Sequence, residues 1–266
     1  MRKSNLFWGL MLVLGGVVLL LNTTGILKFN VWSVLFPLFL VALGLWFVVG
    51  PMIFKNEKLE TRTIQVPLEG ALSAEVKLEH GAGRLHINPL GLETGNLLEG
   101  TFSGGVEQQV EHSGSQLKAK FKVDAGIVFG VPTVNMQGLE WKINLSRSLP
   151  LELEIHSGAS ESLLDLRDLK VSELELHTGA SRTEVHLPAA AGFTKVDVVA
   201  GAAEVVLNVP EGVAASIKLD TGLSSKNINL SRFPQGGVGF ESPDYATAVN
   251  KIQIHIESGV GSISVQ

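Results

Sequence analysis

Apolar and polar residues alternate along most of the chain beyond residue 60, and within residues 153–230 the alternation returns as four copies of one short phrase. Each copy centres on a glycine, with apolar residues five and three positions before it and six and eight positions after it. The four glycines are Gly158, Gly179, Gly201 and Gly222, so the repeat length is 21 or 22 residues. A fixed period of this size predicts stacked repeats, in which each unit buries its apolar face against its neighbours.

Each repeat is predicted to form two short β-strands that flank a tight corner. Period-two alternation is typical of a strand with one buried face, so the polar residues between the apolar ones are expected to face solvent. The corner glycine supplies either a backbone angle or a close approach that a side chain would block. Corners stacked about 4.8 Å apart predict a β-solenoid. The predicted core positions are Leu153, Ile155, Leu164, Leu166, Leu174, Leu176, Val185, Leu187, Val196, Val198, Leu207, Val209, Ile217, Leu219, Ile228 and Leu230.

The same phrase recurs around Gly81 and Gly259, which extends the predicted all-β solenoid domain to residues 61–266. Residues 97–141 also alternate but fall out of register, which favours a meander of longer strands. Two insertions are expected within the domain, at residues 124–139 and 231–250, because the phrase is interrupted there.

The first 54 residues are far more apolar than the rest and predict a transmembrane helical hairpin. Residues 5–24 and 31–54 would form its two helices, since about 20 apolar residues span a bilayer; residues 55–60 would form a linker. A cleaved signal peptide is the alternative, because Arg2 and Lys3 precede the first apolar run. The lack of an A-x-A-like cleavage site and the second run directly after the first argue against it.

The flanking charges predict the orientation of the hairpin in the cell membrane. Arg2 and Lys3 precede the first apolar run, three cations follow the second, and only Lys28 lies in the connecting turn. By the positive-inside rule both termini, and with them the β-domain, are expected in the cytoplasm. If the first run were cleaved or failed to insert, the β-domain would lie outside.

The composition argues against several classes of function. The 266 residues carry a net charge of -5 and no cysteine. No basic run or basic stripe interleaved with aromatic residues occurs, which argues against nucleic acid as a partner. The absence of cysteine excludes disulfides, thiolate metal sites and a cysteine nucleophile.

The N-terminal strings LFWGLMLVLGGVVLLLNTTGIL and VWSVLFPLFLVALGLWFVV resemble the transmembrane region of LiaF-like membrane proteins. The matching features are Asn22, Gly25, Trp32, Pro37 and Gly44. The repeats, with their Gly-Ala-Ser corners, resemble the toast-rack or adhesin-like β-solenoid commonly attached to such segments. The two resemblances together cover most of the chain.

The resemblance implies a protein of the bacterial cell envelope that modulates cell-wall stress signalling through a membrane-bound sensor histidine kinase. It implies no enzymatic activity, no catalytic residues and no cofactor. We therefore expect a regulatory or scaffold protein whose partners are the lipid bilayer and another membrane protein, with a homo-oligomer left open. The alternative is an extracytoplasmic, adhesin-like structural module.

The sharpest candidate for chemistry is the position two residues before each corner glycine, which holds His156 and His177. On adjacent rungs their rings would lie within about 5 Å, and with Glu154 and Glu175 nearby they could bind a metal. The alternative is a solvated strand face, which we favour because zinc sites require three or four convergent ligands. We therefore expect no metal site.

The insertions are better candidates for binding than the rungs, because insertions in repeat proteins often carry function. Residues 231–250 contain Phe233, Phe240 and Tyr245, which we predict as partner-binding residues. The apolar, irregular residues 127–138 are a second candidate segment. Capping of an open solenoid end is the alternative role for both.

Overall fold

The computed structural model describes residues 61–91, 94–123, 139–237 and 239–266, together with residues 13, 16, 36–41, 44 and 45, which are helical. Among all of these, no helix is both long and apolar enough to cross a membrane. The remainder of the predicted helices at 5–24 and 31–54, the linker at 55–60, and the insertion at 124–139 except for its last residue lie outside the described residues.

Beyond residue 60 the described chain consists of β-strands and their connections. The strands are β1 (Thr61–Pro67), β2 (Ser73–Pro89), β3 (Asn96–Ser103), β4 (Val106–Ser113), β5 (Gln116–Val123), β6 (Glu140–Leu145), β7 (Pro150–Asp165), β8 (Lys170–Thr178), β9 (Arg182–His186), β10 (Phe193–Asn208), β11 (Ala214–Ile228), β12 (Phe240–Glu241) and β13 (Lys251–Val265). They belong to one compact unit of the chain, Leu59–Ile127 with Asn135–Gln266.

The long strands stack in parallel as the rungs of a solenoid. A rung here is one strand that passes through its corner glycine, or the pair β8 and β9 on either side of a corner. The first arm precedes the corner and the second arm follows it. Neighbouring rungs pair in register along both arms, as β2 does with β7 from Ala74 to Ile87. The repeated phrase therefore forms the predicted solenoid.

The corner glycines form a column in which each backbone approaches the next. In rung order the column is Gly81, Gly158, Gly179, Gly201, Gly259 and Gly222. A Cβ atom on Gly158 would lie 2.3 Å from the carbonyl oxygen of Gly81, and the next four glycines would meet their neighbours' carbonyls at 2.8–3.1 Å. None of the six has a positive φ. Close approach, rather than a left-handed backbone, is therefore what disfavours a side chain at the five corners after Gly81.

The rung order departs from the chain order at the C-terminal end. The final strand, β13, lies between β10 and β11 and pairs in parallel with both. Ile254 is thus flanked by Val196 on β10 and Ile217 on β11. The chain leaves β10, forms β11 one position further out, and returns through residues 229–250 to fill the space between them.

Strands that are not rungs cover the N-terminal end of the stack. β5 pairs in parallel with the first arm of β2, and β4 pairs antiparallel with β5. β6 pairs in parallel with the second arm of β2 and is followed by antiparallel β3 and β1. The predicted meander is therefore wrong, since β3 and β4 are consecutive but do not pair. Instead, β5 and β4 extend the sheet of the first arms, and β6, β3 and β1 extend the sheet of the second arms.

The core lies between the two arms. Every predicted core position from Leu153 to Ile217 is buried. At the outermost rung, β11, Leu219 and Ile228 are only half-buried and Leu230 is 60% exposed. The prediction for Leu230 is wrong, because no described strand stacks beyond the second arm of β11 to cover it.

Candidate functional site

The two predicted histidines lie side by side on the outer face of the first arms. In-register pairing of β7 with β8 places His156 next to His177, and Glu154 next to Glu175. The imidazole rings stack with their centroids 4.6 Å apart and their planes 8° apart. This contact follows from the spacing of adjacent strands, about 4.8 Å.

Glu154 is the most heavily bonded group beside this pair. Its Oε1 lies 2.6 Å from Nε2 of His156 and 2.5 Å from Nζ of Lys77 on the preceding rung. Burial raises the pKa of Glu154, but the hydrogen bonds from Lys77 and His156 outweigh that effect and lower the pKa overall. Glu154 is therefore ionised at neutral pH and already occupied by two donors.

The histidine pair offers a poor geometry for a metal ion. Zinc lies about 2.0–2.1 Å from each ligating nitrogen, which requires the ligand side chains to converge on one point. The planes of His156 and His177 are nearly parallel and do not converge. Among the residues that the structure describes, no group of three or more histidine, cysteine or acidic side chains is arranged to hold a metal.

A third outward histidine, His255, contacts acidic side chains on both neighbouring rungs. His255 on β13 has its Nε2 2.9 Å from Oδ2 of Asp220 on β11 and its Nδ1 3.6 Å from Oδ1 of Asp197 on β10. The hydrogen bond from His255, followed by that from Lys218, lowers the pKa of Asp220. The outer face thus carries hydrogen bonds and ion pairs that cross the rungs, as those of His255 with Asp220 and of Lys195 with Glu173 do.

Beside the glycine column lies a mostly polar, mostly buried column, at the position directly before each corner. In rung order it holds His80, Ser157, Thr178, Ala200, Ser258 and Thr221. Ser157 donates a hydrogen bond to Oγ1 of Thr178, with the two oxygens 3.1 Å apart. His80 begins this column and is 1% exposed. Our sequence reasoning missed His80 because it considered only the outward position beside it.

The insertion at 231–250 lies over the C-terminal end of the core. Phe233 is fully buried, and the guanidinium of Arg232 lies 4.9 Å from its ring. That guanidinium donates hydrogen bonds to the carbonyls of Val209 and Pro210, at 2.7 and 2.9 Å. These contacts hold Phe233 over the end of the solenoid core.

The two other aromatic residues of the insertion are less deeply placed. Phe240 lies in β12, which pairs antiparallel with β11 through Ile217, and it packs against the core while remaining partly exposed. Tyr245 is also partly exposed, with Nζ of Lys251 5.5 Å from the centre of its ring. Of the three predicted partner-binding residues, Phe233 is thus buried, whereas Phe240 and Tyr245 are partly exposed. The segment 127–138 lies outside the described residues.

Two family models match the chain. Residues 55–208 match the N-terminal domain of toast_rack, and residues 6–48 match the LiaI-LiaF-like transmembrane region. No curated protein matches the chain.

One solved structure shares the fold, and others match it more weakly. One from Clostridium sporogenes ATCC 15579, described as a candidate cell adhesion protein, is 24% identical and has a TM-score of 0.71; the alignment covers 78% of this chain and 99% of the other. Another, from Bacteroides fragilis NCTC 9343 and described as a candidate adhesin, is 11% identical with a TM-score of 0.34, and the alignment covers 79% and 98% of the two chains.

Proposed function

The chain belongs to the toast_rack family and carries a LiaI-LiaF-like transmembrane region, and from this premise we propose that it is a non-enzymatic regulatory or scaffold protein of the bacterial cell envelope. The observation that supports this proposal most directly is the union of a membrane region with a solenoid whose outer face carries Lys–Glu ion pairs between neighbouring strands. Such a surface suits the presentation of fixed charges to another protein.

In this proposal the N-terminal hairpin contacts a partner within the membrane, and the solenoid holds a rigid surface beside it. By kinship with LiaF-like proteins, the partner is a sensor histidine kinase and the process is the response to cell-wall stress. The positive-inside rule supports a cytoplasmic solenoid.

Partner choice is expected to reside in the hairpin. We would cross-link proteins in living cells and compare the full chain with a variant in which residues 1–54 are replaced by an unrelated two-span hairpin of the same orientation. We expect the variant to lose the cross-linked kinase, because it keeps the natural solenoid but lacks the natural hairpin. Recovery of the same partner by both proteins would assign recognition to the solenoid and contradict this part of the proposal.

A reporter fused after Gln266 is expected to be active only in the cytoplasm. The alternative function, an extracytoplasmic structural module of the adhesin type, requires the opposite result. A paired fusion of the same reporter before Met1 controls for insertion, because a two-span hairpin puts both ends on one side. Activity of the C-terminal fusion outside the cytoplasm would exclude the cytoplasmic regulatory model and favour the adhesin-like module.

A further inference from the structure

His80 is the only one of the chain's seven histidines that is buried. Its side chain is 1% exposed, and neither ring nitrogen has a hydrogen-bond partner. Buried polar groups are usually hydrogen-bonded, and an unpaired one lowers stability. The first rung therefore contains a polar group at a position where the other rungs place small side chains.

The position of His80 makes it part of a junction. Among the described strands of the β6–β3–β1 sheet, β6 is the one that pairs with the first rung, along the second arm of β2. The ring of His80 packs edge-on against Trp141 of β6, with the centroids 5.1 Å apart. Just before β6, the carbonyl of Leu139 accepts a 2.8 Å hydrogen bond from the backbone of Arg84. His80 thus lies where the rung and the sheet meet.

Among the described residues, no group is hydrogen-bonded to His80 to compensate an imidazolium. The titratable groups on this part of β2 and on the strands paired with it lie at outward positions. They are Glu79 and Arg84 on β2, Lys122 on β5, Glu140 and Lys142 on β6, and His156 on β7. Burial alone lowers the pKa of His80 to about 4. A protonated His80 would therefore be a buried charge without a partner, which favours separation of its ring from Trp141.

We propose that His80 is an acid-sensitive latch, whose protonation opens the junction between the first rung and the β6–β3–β1 sheet while the rungs from β7 onward remain folded. The direction of the pH dependence follows from the difference in the pKa of His80 between the closed and the open junction. The buried form resists protonation, so the junction is fully stable above the ordinary histidine pKa near 6.5 and loses stability as the pH falls from there towards 4. Between pH 6.5 and pH 4 the population of the open junction is expected to rise about 80-fold.

Hydrogen exchange of the full chain in detergent micelles tests this inference. Labelling at pH 7 and at pH 4.5, with times corrected for intrinsic exchange, should show lost protection in peptides covering residues 80–89 and 139–145 at the lower pH. Peptides from β10 and β13 should retain their protection. Uniform loss across all rungs would overturn the proposal, because acid would then unfold the whole solenoid.

Two variants isolate the imidazole. His80→Phe keeps a ring against Trp141 but cannot be protonated, so it should abolish the pH-dependent exchange. His86→Phe is the matched control, because His86 lies on the same strand but is partly exposed, and it should leave the effect unchanged. Equal acid opening in His80→Phe and the natural chain would contradict the latch. If His80→Phe does not fold, the titration of His80 by NMR in the natural chain decides: a pKa below 5 supports the latch, and one near 6.5 overturns it.

Discussion

Removal of residues 251–266 is expected to prevent the solenoid from reaching its native fold. The deleted segment contains β13, whose inward residues Ile252, Ile254, Ile256, Ile263 and Val265 are each no more than 1% exposed. Full burial of an aliphatic side chain stabilises a fold by about 2 kcal/mol. The five together contribute about 10 kcal/mol, which is comparable to the whole stability of a typical domain.

The truncation would be measured by denaturant unfolding and limited proteolysis of the full chain and the shortened chain. We expect the shortened chain to be cleaved throughout β10 and β11, because both strands lose their shared neighbour. Gln253→Thr is the control, since Gln253 lies on β13 but is exposed, and its unfolding midpoint should stay unchanged. A shortened chain with the natural midpoint would show that β11 can dock directly on β10, and β13 would then not be required as a central rung.

Gly158→Ala is expected to destabilise the domain by about 4 kcal/mol or more, an exceptional cost for one methyl group. The added Cβ would lie 2.3 Å from the carbonyl oxygen of Gly81, so the backbones of β2 and β7 would have to separate at the corner. These two rungs connect the N-terminal strands to the rest of the solenoid. Equilibrium unfolding of the variant in urea measures the loss.

Gly81→Ala is the matched control for this prediction. Gly81 has the same place in the repeat, but it lies on the first rung and a Cβ there would meet nothing within 4 Å. We expect a change within about 0.5 kcal/mol, or a small gain from the reduced freedom of the unfolded chain. If both variants lost equal stability, the backbone angle rather than the close approach would explain the corner glycines.

The solenoid and its corners follow from the repeated phrase, whereas the order of its last rungs does not. The phrases around Gly222 and Gly259 carry the same alternation, so either strand could pair with β10 in the same register. The order depends on non-local contacts, such as the burial of Phe233 and the pairing of β12 with β11. Periodicity describes what one rung buries and carries no information on which rung is its neighbour.

The contacts of the surface histidines could be predicted from the repeat, whereas those of the buried histidine could not. The contact between His156 and His177 could be predicted because both lie at one position of consecutive repeats, and those repeats stack in chain order. His80 continues the inward positions of Val76 and Leu78, so the alternation along β2 could have predicted its burial. Its unpaired state could not be predicted, because it depends on Trp141, which the chain brings to β2 from an out-of-register segment.

The position of β13 also has a consequence for synthesis in the cell. The strand that separates β10 from β11 emerges from the ribosome after both of them, although domains tend to fold from their N-terminus as they emerge. A nascent chain that has exposed β11 but not β13 holds two strands with matching registers and no strand between them. Completion of this end of the solenoid must therefore wait for β13 to emerge, and a chain that terminates between β11 and β13 retains an unfilled space between β10 and β11, open to proteases and chaperones.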